Sequence, residues 1–316
     1  MFGNEEPGTF LTRLFSQSDL GQRLALRVQI WPCALWSHQW WHQFDTDEWG
    51  GELLSLTHRE VIIDGHRALL QSGADALVTN TFGATSVVMK DYGAANKVGE
   101  VNRVSARLAW EVAREAPAEK QQPLVVGSIG PTCDLLSLHQ EEYEATIEPM
   151  ISAYLDQARA LWEGGISIFH VERCSDPLNA KAAFVALTRL EDQIGTSLTK
   201  VVTAHVEPEG SMVLGTTVEA FWRVVQAFNP QAFGVVGRLE TVEESLASLA
   251  NVVTVPLIAM VDVFAVASPE GWLQSPKSLS ISLARLVNRY KVRIAGVGVE
   301  AEPHFILSLR ETLRGL

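Results

Sequence analysis

Ile168-Phe169-His170-Val171-Glu172-Arg173 is the stretch whose reading decides the fold. It is a short apolar run that ends abruptly in charge. Ahead of it, Leu161-Trp162-Glu163-Gly164-Gly165 reads as a helix end followed by glycines that can take the positive backbone angles of a C-cap. Behind it, Ser175-Asp176-Pro177 starts the next helix, with proline in its first turn. Glu172 is therefore expected at the carboxyl end of a buried strand, just before a helix. Parallel α/β proteins place their chemistry on that face. A structural carboxylate paired with a neighbouring arginine would occupy the same position.

Working outward, the same unit recurs. Strands are expected at Leu24–Ile30, Ala76–Phe82, Pro123–Ile129, Ile166–Glu172, Lys200–Val206, Ala232–Val236, Pro256–Val261 and Val292–Val297. Helices are expected at Thr57–Gly73, Asn96–Ala116, Glu141–Glu163, Asn179–Ile194, Thr217–Phe228, Val242–Ala250, Pro276–Tyr290 and Pro303–Leu316. Runs such as Leu124-Val125-Val126 are apolar throughout, as strands buried on both faces should be. Eight such units in 316 residues predict one (β/α)8 barrel over residues 24–316, preceded by an arm over residues 1–23. A doubly wound open sheet is the runner-up, but the glycine fingerprint of a dinucleotide site is missing.

Composition narrows the function. Hydrophobic residues make up 47% and charged residues 20%, enough for a sizeable core and against disorder. A formal net charge of −12 argues against a nucleic-acid partner. Three cysteines without a framework suit a reducing compartment, and the cytoplasm is the expected location. Met1–Glu6 is acidic with no apolar run behind it, unlike a signal peptide, and no stretch of about 18 apolar residues predicts a membrane span.

Polar and small residues collect at the predicted strand ends. Strand 2 ends in Thr79-Asn80-Thr81-Phe82-Gly83-Ala84, strand 4 in Glu172-Arg173-Cys174 and strand 5 in His205-Val206-Glu207. Strand 6 ends in Val236-Gly237-Arg238 and strand 7 in Asp262. Arg173 and Arg238 suit a carboxylate or phosphate, with a salt bridge to Glu172 or Glu240 as the plainer role. Asp262 suits an acid, a base or a cation anchor. The segment after strand 1 holds five of the nine tryptophans: Trp31, Trp36, Trp40, Trp41 and Trp49. Its rings can form a cage for a sulfonium or quaternary ammonium group. They can equally anchor a loop or an interface, including one between copies of this chain. His38 and His42 in the same segment read as packing residues.

These pieces, in order, resemble the homocysteine S-methyltransferase family. The matching stretches are Leu56-Thr57-His58, Gly73-Ala74-Asp75-Ala76-Leu77-Val78-Thr79-Asn80-Thr81-Phe82-Gly83-Ala84, Gly127-Ser128-Ile129-Gly130-Pro131, Glu163-Gly164-Gly165 with Glu172, Lys181-Ala182-Ala183, and Gly215-Thr216-Thr217-Val218-Glu219-Ala220-Phe221. The resemblance implies a barrel that transfers methyl groups to a thiol. It gives Glu172 the substrate's amino group and sets Asn80 and Thr81 in the second-strand pocket. It also implies zinc, which would present the thiol as a thiolate.

Here the sequence departs from the family it resembles. The zinc-holding cysteines belong after strand 6 and after strand 8, where this chain has Gly237, Val297 and Gly298. The family's opening glycine-rich stretch reads Pro32-Cys33-Ala34-Leu35-Trp36-Ser37. Zinc is therefore not expected at the usual position, and no other cofactor is predicted. Cys33, Cys133, Cys174 and His205 are the residues from which a relocated metal site would be built.

The expectation is a methyltransferase acting on a small molecule, an amino-acid thiol or a methylated cation, with Glu172 and Asp262 as catalytic candidates. Asn80, Thr81, Glu172, Arg173, Arg238 and Trp36 are the expected substrate contacts. A corrinoid or other methyl-donor protein would be a partner, since the chain has no such module of its own. The alternatives are a barrel that binds ligand without turnover and a subunit that docks on another methyltransferase component.

Overall fold

The eight apolar runs form one sheet of eight parallel strands: β1 (Gln29–Pro32), β2 (Ala76–Val78), β3 (Leu124–Ile129), β4 (Ile168–Cys174), β5 (Thr199–Val206), β6 (Ala232–Gly237), β7 (Leu257–Val261) and β8 (Val292–Val297). The computed structural model describes residues 17–33, 50–117, 121–132, 134–138, 143–263, 275–298 and 303–314. The strand order is β1-β8-β7-β6-β5-β4-β3-β2. Helix α1 (Gln17–Leu26) precedes β1. A helix then follows each strand: α2 (Arg59–Gln71), α3 (Val98–Ala113), α4 (Tyr143–Glu163), α5 (Pro177–Ile194), α6 (Val218–Val225), α7 (Leu239–Leu249), α8 (Pro276–Tyr290) and α9 (Pro303–Leu313). The chain is a single (β/α)8 barrel, as the alternation predicted. The tryptophan-rich stretch beyond Cys33, with Trp36, lies outside the described residues.

The sheet closes between β1 and β2 through one aspartate. The Asp75 backbone N–H donates to the Ile30 carbonyl at 2.8 Å. Its side-chain Oδ2 accepts from the Ile30 N–H, also at 2.8 Å. Arg27 and Arg310 hold the same carboxylate at 2.7 Å and 2.5 Å. A buried carboxylate here replaces rungs of the backbone ladder.

Alternating side chains divide the core into two layers. Trp31, Val78, Val126, Ile168, Val201, Val236, Met260 and Ile294 fill the barrel. Phe169, Phe184, Phe221, Phe233 and Leu246 fill the space between sheet and helices. Both sheet faces are thus covered, and each fully buried phenylalanine contributes about 2–3 kcal/mol.

The expected strand at Leu24–Ile30 is corrected: its first half is helix, and β1 begins at Gln29. Leu20 and Leu24, four apart, share one helical face and pack into the inner cluster beside Ala76 and Leu124, where strands begin. Leu26 is 81% exposed, so its spacing from Leu24 marks no strand face. Helix α1 runs across residue 23, the expected end of the arm.

Candidate active site

The site is built around an irregularity in β4. Val171 pairs with Val202 and Cys174 with Ala204, so three steps on β4 oppose two on β5. This extra residue is a β-bulge. Arg173 takes a left-handed backbone, φ 55°. Among the described residues, the other non-glycines with positive φ, Asn229 and Lys291, cap helical turns, where that geometry is routine. Arg173 has it inside a strand, where it is strained. The Thr203 hydroxyl holds the bulge, accepting from the Arg173 N–H at 3.1 Å and lying 3.0 Å from His170 Nε2.

The bulge changes where side chains point. In a regular strand, Glu172 and Arg173 would face opposite sides of the sheet. Here both address the barrel mouth. Glu172 is bonded through Oε1 to the Ser128 hydroxyl on β3. Arg173 crosses to Asp262 beyond β7, with bonds of 2.6 Å and 3.1 Å in a two-pronged pair. The salt bridge considered between Arg173 and Glu172 is therefore made with Asp262. His205, at the end of β5, lies 3.7 Å from Asp262 and 3.2 Å from Glu207.

The surroundings set the charge states. Burial pushes the Asp262 carboxyl up, but the His205 and Arg173 partners override it and hold it below the usual range. Asp262 is thus a fixed carboxylate at neutral pH, better suited to anchoring than to carrying protons. Burial lowers the Arg173 guanidinium, and the Asp262 charge more than offsets that. His170, inside the barrel 4.0 Å from Glu172, is pushed down by burial to about 3 and stays neutral.

The second-strand residues brace this cluster from behind. Thr81 donates to the Ser128 carbonyl at 2.8 Å and so ties β2 to the residue that holds Glu172. Asn80 donates to the Gly51 carbonyl at 2.9 Å and the Ser55 hydroxyl at 3.1 Å. Its described bonds therefore point away from Glu172. Arg238 stands apart: it precedes α7 as an exposed cap residue, and its carbonyl accepts from the Thr241 hydroxyl. It lies one residue beyond the end of β6 and is exposed, and among the described residues no side-chain bond joins it to Arg173 or Asp262.

The homocysteine S-methyltransferase family profile matches residues 21–313. The chain belongs to this family. Methionine synthase of Mycobacterium leprae (strain TN) is 30% identical over 222 residues, 69% of this chain. The chain spans only 18% of that relative's length. The homocysteine methyltransferase MmuM from Escherichia coli superposes in its metallated form with a TM-score of 0.73 at 16% identity, over 93% of this chain and 98% of that one. Its oxidized form gives 0.73 at 17% identity, over 95% and 99%. At these identities the likeness concerns the fold.

Membership in the homocysteine S-methyltransferase family makes the metal positions worth testing against the geometry. Gly237 and Gly298 have no donor, and Val297 packs its side chain into the outer core. A Cβ at residue 298 would lie 1.9 Å from Asp262 Oδ1, and one at residue 237 would lie 2.7 Å from the Val206 carbonyl oxygen. Asp262, paired with Arg173, occupies the space of a side chain at 298, so the residues present do not fit zinc there. Cys33 packs into the inner cluster and Cys174 into the outer one, on opposite sides of the sheet. Cys133 lies outside the described residues. Among the described residues no group of three or more His, Cys, Asp or Glu is placed to hold a metal ion.

Sequence reasoning missed Glu52. It is buried, its Oε1 accepts from the Gly83 N–H at 2.7 Å, and burial pushes its pKa up. Its only signal was a carboxylate directly after Gly50-Gly51. Ser105, which donates to Ser55 at 2.7 Å, was also missed, and as a mid-helix serine it gave no signal.

Proposed function

We propose that this chain is a methyltransferase that acts on a small molecule at the barrel mouth without zinc at the family's usual position. Family membership supports the reaction class. The observation that carries the zinc-independent part is the 1.9 Å clearance between a Cβ at 298 and Asp262 Oδ1. In this reading Glu172, held by Ser128 with Thr81 behind it, takes the substrate's ammonium group. Asp262 fixes Arg173 as a second anchor, and Asn80 braces the wall. Trp36 supplies an aromatic face for a methylated cation. The acceptor sulfur attacks the methyl carbon while that carbon's bond to the donor atom breaks (sulfur in a sulfonium, nitrogen in a betaine, cobalt in a corrinoid), the donor atom keeps the electron pair, and the thiol proton leaves to solvent. The donor is a sulfonium, a betaine or a corrinoid protein partner. A cytoplasmic location fits the buried Cys33 and Cys174 thiols. Among the described residues no helix is long and apolar enough to cross a membrane.

Turnover tests the reading. The protein given homocysteine and a methyl sulfonium or betaine, with a zinc chelator present, should form methionine. Glu172→Gln should lower kcat/KM by about ten- to hundredfold, the worth of one charged hydrogen bond. Absence of transfer from every donor, with ligand binding intact, would replace this reading with a binding or regulatory barrel. The same lack of metal donors favours that second reading equally.

A further inference from the structure

A cleft of about 640 Å³ opens at the barrel floor, opposite the mouth, where the C-terminal ends of α2, α3 and α9 meet. Small-molecule sites have volumes of this order. Its charges do not cancel. Four arginines line it, Arg27, Arg67, Arg310 and Arg314, against two carboxylates, Asp75 and Glu115. Arg67 is already engaged: it donates to Glu115 at 2.6 to 3.1 Å and to exposed Asp64 at 3.2 Å. That leaves three guanidiniums around Asp75 alone, in a chain whose net charge is −12.

Asp75 is accounted for by closing the sheet, but one carboxylate does not neutralise three cations. Arg310 serves Asp75 and also donates twice to the Gly73 carbonyl, at 2.9 Å and 2.6 Å, which meets the partial negative charge at the end of α2. Arg27 spends one nitrogen, Nη2, on Asp75 and Gln121, so its Nε and Nη1 have no partner among the described residues. Arg314 is exposed, follows Arg310 by four positions, and its side chain bonds to nothing among the described residues. Like charges at that spacing repel. Arginines held by a buried carboxylate, with donors to spare across an open cleft, are suited to take up an anion.

Charge balance selects the anion. Three guanidiniums less one carboxylate leave an excess of two positive charges. A phosphate monoester carries about −1.5 to −2 at neutral pH, whereas a sulfate ester carries a single charge. The rest of the wall is apolar: Leu307, 44% exposed, with Leu70, Ala116 and Pro117. We propose that the floor cleft binds a small phosphate monoester, its phosphate between Arg27, Arg310 and Arg314 and its organic group against Leu70 and Leu307. This site is separate from the mouth and stands independently of the methyl-transfer reading.

Calorimetry in phosphate-free buffer, with phenyl phosphate and phenyl sulfate as probes, tests it. The two share a ring and differ in charge, and the protein should bind phenyl phosphate about tenfold more tightly. Arg314→Gln removes a side chain without a described partner, so the variant should fold normally. It should weaken phenyl phosphate binding about three- to tenfold, and Arg27→Gln should do the same. Arg189→Gln, at an exposed ion pair with Glu148 outside the cleft, should leave binding unchanged. No binding of phenyl phosphate at millimolar concentration overturns the proposal, as does equal affinity for the two esters. Wild-type affinity in both Arg27→Gln and Arg314→Gln also overturns it, because the anion would then sit elsewhere.

Discussion

Asp75 at the barrel floor and Asp262 at its mouth are both buried carboxylates beside two basic side chains, yet their settings differ. Asp75 bonds to the Ile30 backbone and takes the place of missing ladder rungs, with Arg27 and Arg310 around it. Nothing strained is needed to build it. Asp262 completes no ladder through its side chain. Arg173 reaches it only by way of a bulge and a left-handed residue, and Gly298 must lack a side chain to make room. A carboxylate that closes the sheet is explained by stability alone. One that needs strain and a cleared space calls for a function, and it lies on the face where barrels carry function.

The largest expected effect is at the floor. Asp75→Ala leaves Arg310 without its carboxylate and should cost about 3–5 kcal/mol in urea unfolding, while ligand affinity per folded molecule stays unchanged. Lost affinity with normal stability would reverse the assignment of the two ends. At the mouth, Gly298→Ala should abolish ligand binding by displacing Asp262, at a smaller stability cost of about 1–3 kcal/mol. Calorimetry and denaturation on one preparation separate the two effects.

Acid should reach both layers of the core. His66 on α2 and His170 in the barrel are each pushed by burial from 6.5 to about 3. Below pH 6.5 the unfolded chain takes up protons that the folded chain refuses, so stability falls as pH drops from about 6.5 toward 3. Asp262 acts in the same direction at lower pH. Its folded pKa is depressed, so its contribution is complete above the ordinary carboxylate value and fades as pH falls through the folded one. Urea unfolding between pH 7 and 4 should show the slope, and His66→Leu should reduce it by about one proton. An unchanged slope would mean that His66 is not held neutral. The smallest effect belongs to Arg238→Ala, within about 0.5 kcal/mol and without change in binding, because the residue is exposed beyond its strand.

Most of the barrel could be read from the chain because buried parallel strands leave unbroken apolar runs, and α8 and β8 match their expected limits residue for residue. The misplaced first strand shows the limit of periodicity. Leu24, Leu26, Val28 and Ile30 satisfy a period of two, while Leu20 and Leu24 satisfy one helical face, and the need to plug the barrel floor decides between them. Glu172, Arg173 and Asp262 were legible as strand-end residues. That Arg173 and Asp262 meet was not, because they are 89 residues apart and the contact depends on a bulge that composition does not announce. Arg238 looked equivalent to Arg173 for the same reason: each follows its apolar run directly, yet Arg173 is mostly buried against Asp262 and Arg238 is exposed.

Zinc content tests most directly whether a guanidinium–carboxylate pair stands where the family's metal would be. Protein purified without chelator should contain well under about one zinc per chain, and added zinc should not raise its methyl-transfer rate, because a single stoichiometric site needs about three protein ligands. A full equivalent of bound zinc that is lost together with activity in Asp262→Ala would show that the mouth holds a metal after all.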